Sequence, residues 1–362
     1  MKIGILGAGQ LAQMLAQAGL KLGHEFMFLC PDPDSCAAPY GELLCADYHD
    51  EAALATLRDW ADVITYEFEN VPNEVAQALE AGNTLYPPSM MLGITSDRIT
   101  EKNWVRDQGI GTANFAEVRS FEDLVEGAKT VGLPAILKTS QSGYDGKGQV
   151  RVSSAEHLAS AWEAVGQQVC VLEGMVPFNR EVSMIAARSP SGDIAYLPLS
   201  ENAHTDGILH VAESKQNDPV EAKAQQMIKA LLDASNYVGV LTVEFFDVDG
   251  ELLVNELAPR VHNSGHWSIE ACEDSQFSLH IKAIAGESIR SPKLISRAAM
   301  VNVIGQVPQG LEAFASDDTF VHLYGKAPRS KRKIGHVTVL ESTDASTFNE
   351  RLAQLVKAIE WA

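Results

Sequence analysis

Two apolar runs, residues 240–246 (VLTVEFF) and 252–257 (LLVNEL), each hold one carboxylate, Glu244 and Glu256, where burial is costly unless a cation lies near. Inward carboxylates on adjacent strands suit magnesium, which takes one or two protein oxygens and completes its shell with phosphate and water. Asp249-Gly250 between the runs predicts a hairpin. A plain two-residue turn would set Glu244 opposite Asn255 and send Glu256 to the other face, so shared coordination predicts a longer loop or a bulge near the turn. The next ten residues, 258–267, bring Arg260, His262, Asn263, Ser264, Gly265 and His266. Arginine forks onto phosphate or carboxylate and histidine moves protons near neutral pH, so this cluster is a candidate reaction centre.

Two glycine-rich turns could hold anions. Residues 141–149 (QSGYDGKGQ), with Lys138 just before, leave backbone amides free to wrap an oligophosphate while Lys138 and Lys147 offset its charge. At the N-terminus, Gly7-Ala8-Gly9-Gln10-Leu11-Ala12 fits a dinucleotide fingerprint, with Asp32 near the distance of a ribose-binding acid. A helix N-terminus serves any phosphate, however, so both NAD and a mononucleotide remain open for this turn.

The elements that must position these groups alternate at first. Residues 2–6 read as a buried strand, followed by a helix ending near Gly23, a strand over 26–29, a helix near 51–59 and a strand over 63–68. Alternation implies a parallel sheet flanked by helices. A polar helix over 97–108, N-capped by Ser96 and closed by Gly109, opens a second region of α+β character, with strands over 135–138, 169–172 and 182–187 and a helix over 154–165. Short strands over 298–304, 319–323 and 336–340 and a terminal helix complete the chain.

With 362 residues, 46% apolar and 21% charged, the chain has the composition of a soluble protein of two or three packed subdomains. Its net charge of -20 repels nucleic acid, and the one basic cluster, residues 329–333, is short. No apolar stretch approaches the roughly 20 residues that span a bilayer. Five scattered cysteines lack zinc-ligand spacing and fit free thiols in a reducing cytoplasm.

Taken together, the start 7–11, residues 66–72 (YEFENVP), Asp97-Arg98, residues 143–149, the run 255–267 and residues 332–336 (RKIGH) resemble the 5-(carboxyamino)imidazole ribonucleotide synthase family of the ATP-grasp superfamily, over almost the whole chain. The resemblance implies three parts: a Rossmann-like pre-ATP-grasp domain over 1–96 with a parallel sheet, an ATP-grasp domain over 97–288 with a mobile lid about 115–176, and a small C-terminal domain over 289–362. It implies ATP held by Arg98, Lys138, Gly143, Tyr144, Asp145, Gly146, Lys147, Gly148, Gln149, the hinge Glu173, Gly174, Met175 and Val176, and by Glu181, His204, Asn255 and Glu256. Mg2+ falls to Glu244 and Glu256. A ribonucleotide instead of NAD then sits against Gly9, Gln10, Leu11, Glu67, Asn70 and Tyr144, with Arg260, His262, Asn263, Ser264, Arg332 and Lys333 around it. Ser330-Lys331 stands where relatives often have Pro-Gly, which leaves the phosphate ligand among 329–333 open. By the same resemblance, bicarbonate attacks ATP to give carboxyphosphate, which delivers CO2 to aminoimidazole ribonucleotide, with Tyr144, Asp145, Arg260 and His262 as the catalytic candidates. A homodimer is also implied.

Overall fold

The computed structural model describes residues 1–82, 85–141, 148–342 and 344–359. The first strand, β1 (Lys2–Leu6), is followed by α1 (Gln10–Lys21), β2 (Glu25–Leu29), β3 (Glu42–Leu44), α2 (Glu51–Trp60), β4 (Val63–Tyr66), α3 (Asn73–Gly82) and α4 (Ser89–Thr95). The four strands pair in parallel in the order β3-β2-β1-β4. Helices on both faces explain the unbroken apolar runs of β1 and β2, where Ile3, Ile5, Phe28 and Leu29 are wholly buried. Each such side chain contributes about 1.5–3 kcal/mol by leaving water.

The second region begins with α5 (Arg98–Asp107). Its N-cap is Asp97, whose side chain accepts from Thr100 N at 2.9 Å, and not the expected Ser96. Ser96 is already used: it closes α4, with its amide bonded to Leu92 O. A small α/β unit follows, made of β5 (Phe115–Val118), α6 (Phe121–Val131), β6 (Ala135–Thr139), β7 (Gln149–Val152), α7 (Leu158–Ala164) and β8 (Cys170–Gly174). Its sheet runs β5-β8-β6-β7, antiparallel throughout. The helix expected over 154–165 starts as a single 3-10 turn, Ala155–His157, before α7.

The central sheet is built from β9 (Arg180–Arg188), β10 (Ile194–Tyr196), β11 (Leu199–Thr205), β12 (Ile208–Lys215), and, after α8 (Glu221–Ala234), β13 (Gly239–Val248) and β14 (Glu251–Ala258). Beyond α9 (Ser268–Ala271) and α10 (Gln276–Ile284), the strands β15 (Ala298–Ile304), β16 (Thr319–Leu323) and β17 (Lys333–Leu340) do not form a sheet of their own. They extend the same antiparallel sheet, β14-β13-β9-β11-β12-β15-β17-β16, with α11 (Ala345–Ala358) packed on β15 and β17. Helix α10 packs on α1, where Phe277, Ile281 and Ile284 share a core with Leu11 and Leu15. Its buried His280 accepts Val240 N at 3.1 Å through Nδ1 and meets Thr65 Oγ1 at 2.9 Å through Nε2, tying the first sheet to the central one.

Candidate active site

Asp249 and Gly250, at φ 53° and 87°, turn the β13–β14 hairpin in two residues, with Val248 facing Glu251. Left plain, that register would separate the two carboxylates. A bulge between Glu244 and Phe245 absorbs Asn255, so Glu244 stands directly opposite Glu256 on one face. The two behave unequally. Burial and the neighbouring Glu256 raise the pKa of Glu244, while Glu256, partly exposed to the cleft, is held below its ordinary range by Arg98 and Lys138 against the cost of desolvation. Arg98 Nη1 lies 3.3 Å from Glu256 Oε2.

Three further charges support this floor. Glu173 on β8, 3% exposed, receives Lys138 Nζ at 2.8 Å and Lys102 Nζ at 3.1 Å, and Lys102 also donates to Asn255 O at 3.2 Å. Burial would raise the pKa of Glu173, but the two lysines outweigh it and hold it at about 2. Burial and the nearby Lys102 and Arg98 lower that of Lys138. Glu101, on the same helix face, accepts Leu257 N and is pushed by burial up to about 8. Its sign is the reverse of Glu173: ionised above about 4.5 in the unfolded chain but protonated in the fold, it removes stability as pH rises from about 4.5 to about 8. Glu101→Gln keeps an acceptor for Leu257 N without that penalty. Its urea stability relative to the parent should therefore climb between about pH 5 and about pH 8; a flat difference would mean Glu101 is already ionised in the fold.

Farther along the cleft, Glu181 Oε1 lies 3.2 Å from His204 Nδ1, and this contact together with Glu244 raises the pKa of His204 against the effect of burial. Phe178 and Phe246 stack at 4.9 Å between centroids. On the opposite side, the N-terminus of α1 is filled by a side chain of the protein: Glu67 accepts Gly9 N and Ala12 N. A Cβ at Gly9 would fall 2.7 Å from Glu67 Oε1, and Gly7, at φ 102°, has no room for one either. A pyrophosphate on this turn would have to displace that buried carboxylate, and Asp32 is exposed, so the NAD reading of the motif loses its physical basis. Nearby, Arg260 pairs with Glu69, and Lys326 donates to Gln10 Oε1.

His262 Nε2 lies 3.5 Å from Glu244 Oε1, and burial together with Arg260 and Lys333 drives its pKa well below the ordinary value; His266 is displaced the same way by burial and His322. Both shifts favour the neutral imidazole.

One continuous cleft of about 1080 Å³ joins these groups. Of the residues singled out from sequence, Gly9, Gln10, Leu11, Glu67, Asn70, Arg98, Lys138, Gln149, Glu181, His204, Glu244, Asn255, Glu256, Arg260, His262, Asn263, Arg332 and Lys333 line it. Gly148, Glu173, Gly174, Met175, Val176 and Ser264 do not. The Glu173 side chain is committed to two lysines, and Ser264 lies wholly buried behind His262. Gly143, Tyr144, Asp145, Gly146 and Lys147 lie outside the described residues. Sequence reasoning missed Glu101, Lys102, Glu69, Tyr324, Lys326 and the Phe178–Phe246 pair. For Lys102 a signal existed: it falls one turn after Arg98 on one helix face. For Lys326 none did, because its place beside Gln10 depends on how the first and last parts of the chain meet.

Comparison with known proteins agrees with this arrangement. The ribonucleotide synthetase preATP-grasp domain model matches residues 1–96, the ATP-grasp domain model residues 103–277 and the phosphoribosylaminoimidazole carboxylase C-terminal domain model residues 298–350. The N5-carboxyaminoimidazole ribonucleotide synthase of Pseudomonas aeruginosa is 45% identical over 360 residues, covering 99% of this chain and 100% of the relative. The crystal structure of the N5-carboxyaminoimidazole ribonucleotide synthetase from Thermus thermophilus matches with a TM-score of 0.94 and 43% identity, over 99% of each chain. That of the N5-carboxyaminoimidazole synthase from Aspergillus clavatus, in complex with ADP and 5-aminoimidazole ribonucleotide, matches with a TM-score of 0.90 and 26% identity, over 99% of this chain and 98% of the other. Three matched segments in the same order, near-complete coverage and a shared fold lead to one assignment: the chain belongs to the N5-carboxyaminoimidazole ribonucleotide synthase family of ATP-grasp ligases.

Proposed function

We propose that the protein carboxylates 5-aminoimidazole ribonucleotide at the expense of ATP and bicarbonate, giving 5-carboxyaminoimidazole ribonucleotide, ADP and phosphate in purine synthesis. The observation that carries this reading is one cleft whose lining brings the paired carboxylates and Lys138 together with Gln10, Glu67, Arg260 and Lys333. A bicarbonate oxygen attacks the γ-phosphorus as the bond to ADP breaks; the carboxyphosphate releases phosphate and CO2. The exocyclic amine then attacks the carbon of CO2 to form the new C–N bond and passes its proton to the released phosphate. The protein's share of such a phosphoryl transfer is positioning and charge neutralisation, here by Arg98, Lys138 and the strand face.

Glu244 and Glu256 would hold Mg2+, which would neutralise phosphate charge. Among the described residues no three His, Cys, Asp or Glu side chains gather to hold a metal, and a site of two carboxylates fits an ion that draws the rest of its shell from phosphate. Tyr144, Asp145, Arg260 and His262 are proposed as the catalytic residues on family resemblance. The nucleoside end falls to Glu181 and His204 and, on family resemblance alone, to the backbone of 173–176 beside the described cleft; the ribonucleotide falls to Gln10, Glu67, Asn70, Arg260, Asn263, Arg332 and Lys333. We assign domains to 1–96, 97–288 with a lid about 115–176, and 289–362. Five free cysteines fit a reducing cytoplasm, and no described helix is long and apolar enough to cross a membrane. Light scattering of the purified protein tests the proposed homodimer.

The deciding assay follows phosphate release from ATP and bicarbonate with and without aminoimidazole ribonucleotide. Release should rise at least about tenfold on adding the ribonucleotide, since binding energy from the second substrate assembles the reacting geometry. Equal rates in both arms would defeat the assignment.

A further inference from the structure

Two buried hydrogen-bond chains outside the cleft decide which nitrogen of each cleft histidine carries the proton. A backbone N–H can only donate, and Ser264 N points at His262 Nδ1 at 3.3 Å, with Ser264 Oγ at 2.8 Å from the same nitrogen. Behind it, Ser183 Oγ donates to Ser264 Oγ at 2.7 Å and Asn202 Nδ2 donates to Ser183 Oγ at 3.1 Å. The hydrogens run in one direction, from Asn202 to Ser183 to Ser264 to the imidazole. Neutral His262 therefore carries its proton on Nε2, the nitrogen that faces Glu244.

The second chain starts at Gln276, the first residue of α10 and wholly buried. Its orientation is fixed twice: Oε1 accepts His262 N at 2.8 Å and Nε2 donates to His262 O at 2.6 Å, and exchanging the two atoms would set donor against donor and acceptor against acceptor. The same Nε2, which can only donate, lies 3.1 Å from His266 Nδ1. His266 is thereby also an Nε2–H tautomer.

We propose that Ser183 and Gln276, neither of which lines the cleft, are positioning residues that hold His262 and His266 as paired Nε2–H donors toward an oxyanion reactant, bicarbonate or carboxyphosphate. A neutral imidazole so fixed has no free lone pair on Nε2, so these rings supply hydrogen bonds to developing negative charge and do not take the amine proton through that atom. The identity of the oxyanion rests on the function proposed above; the tautomers do not.

Two-bond 15N–1H correlation spectra of the 15N-histidine-labelled protein, assigned with His262→Asn and His266→Asn, read the tautomers directly. Both rings should show an Nε2 proton and a bare Nδ1. Gln276→Glu, which puts an acceptor opposite His266 Nδ1, should convert that ring to Nδ1–H, and Ser183→Ala should turn His262 into a mixture. In the same Ser183→Ala protein, kcat with aminoimidazole ribonucleotide should fall in step with the fraction of His262 converted to Nδ1–H, about twofold for an even mixture, while KM for ATP stays unchanged. Protonation of either ring at Nδ1 in the unaltered protein overturns the proposal, even if a variant fails to fold. So does an unchanged kcat in folded Ser183→Ala. Failure of the unaltered protein to release phosphate with the ribonucleotide would instead sink the functional reading and leave the tautomers readable.

Discussion

Glu256→Gln should lower ATP turnover on the order of 10²–10³-fold, the loss seen when a single preorganised charge-stabilising group is removed from a reaction centre. The side chain keeps its shape and can still accept from Arg98, so the fold should survive and the melting temperature should move little. The charge is what goes. Glu244 then faces a neutral amide across the hairpin, and without the repulsion that helps raise its pKa it becomes easier to ionise. One carboxylate beside Arg98 and Lys138 leaves the strand face with excess positive charge, a poor seat for a divalent cation. Initial-rate phosphate release at saturating ATP, with thermal unfolding as the control for integrity, measures both. Near-parental turnover would exclude Glu256 as a metal ligand.

Glu173→Gln should destabilise the protein by about 3–5 kcal/mol, because breaking a buried ion pair from one side strands the other charge. Here two charges are stranded. Lys138 and Lys102 are 9% and 3% exposed and would confront each other without the carboxylate that now binds both. Urea denaturation followed by fluorescence and circular dichroism measures the loss. Adding Lys102→Met to the Gln variant should recover part of it by removing one stranded cation, a coupling expected only between residues in contact. The pH dependence has a definite sign. With its folded pKa depressed to about 2 from an ordinary 4.5, Glu173 contributes fully above about pH 4.5, and its contribution fades as pH falls toward 2. The gap between parent and variant should close across that window; a constant gap would mean the lysines do not set the charge of Glu173.

Much of this architecture is legible in the residue order because the signals are local. Strand β1 and the helix after it follow from an apolar run ending in glycines, and β15 and β16 occupy the ranges 298–304 and 319–323 read from pattern alone. The hairpin turn is equally local, since Asp249-Gly250 supplies two positive φ angles with little steric cost. The cap of α5 escaped because Ser96 and Asp97 both qualify as caps, and the choice depends on Ser96 already terminating α4.

Residue types and spacing by themselves determined that two lysines around a glycine-rich loop, a carboxylate hairpin and a histidine run follow one another along the chain. Tertiary structure alone decided three things. It inserted the bulge at Asn255 in the β13–β14 ladder that brings Glu244 and Glu256 to one face. It gave the first glycine turn to Glu67, a residue 58 positions away, and so closed that turn to a dinucleotide. It carried the last three strands onto the central sheet, so that Lys326 and Lys333 reach the cleft from the far end of the chain. Local dihedral preference and apolar periodicity act over a few residues; the charges that face one another in a cleft are set by which distant backbones share a sheet, and no window along the chain contains that information.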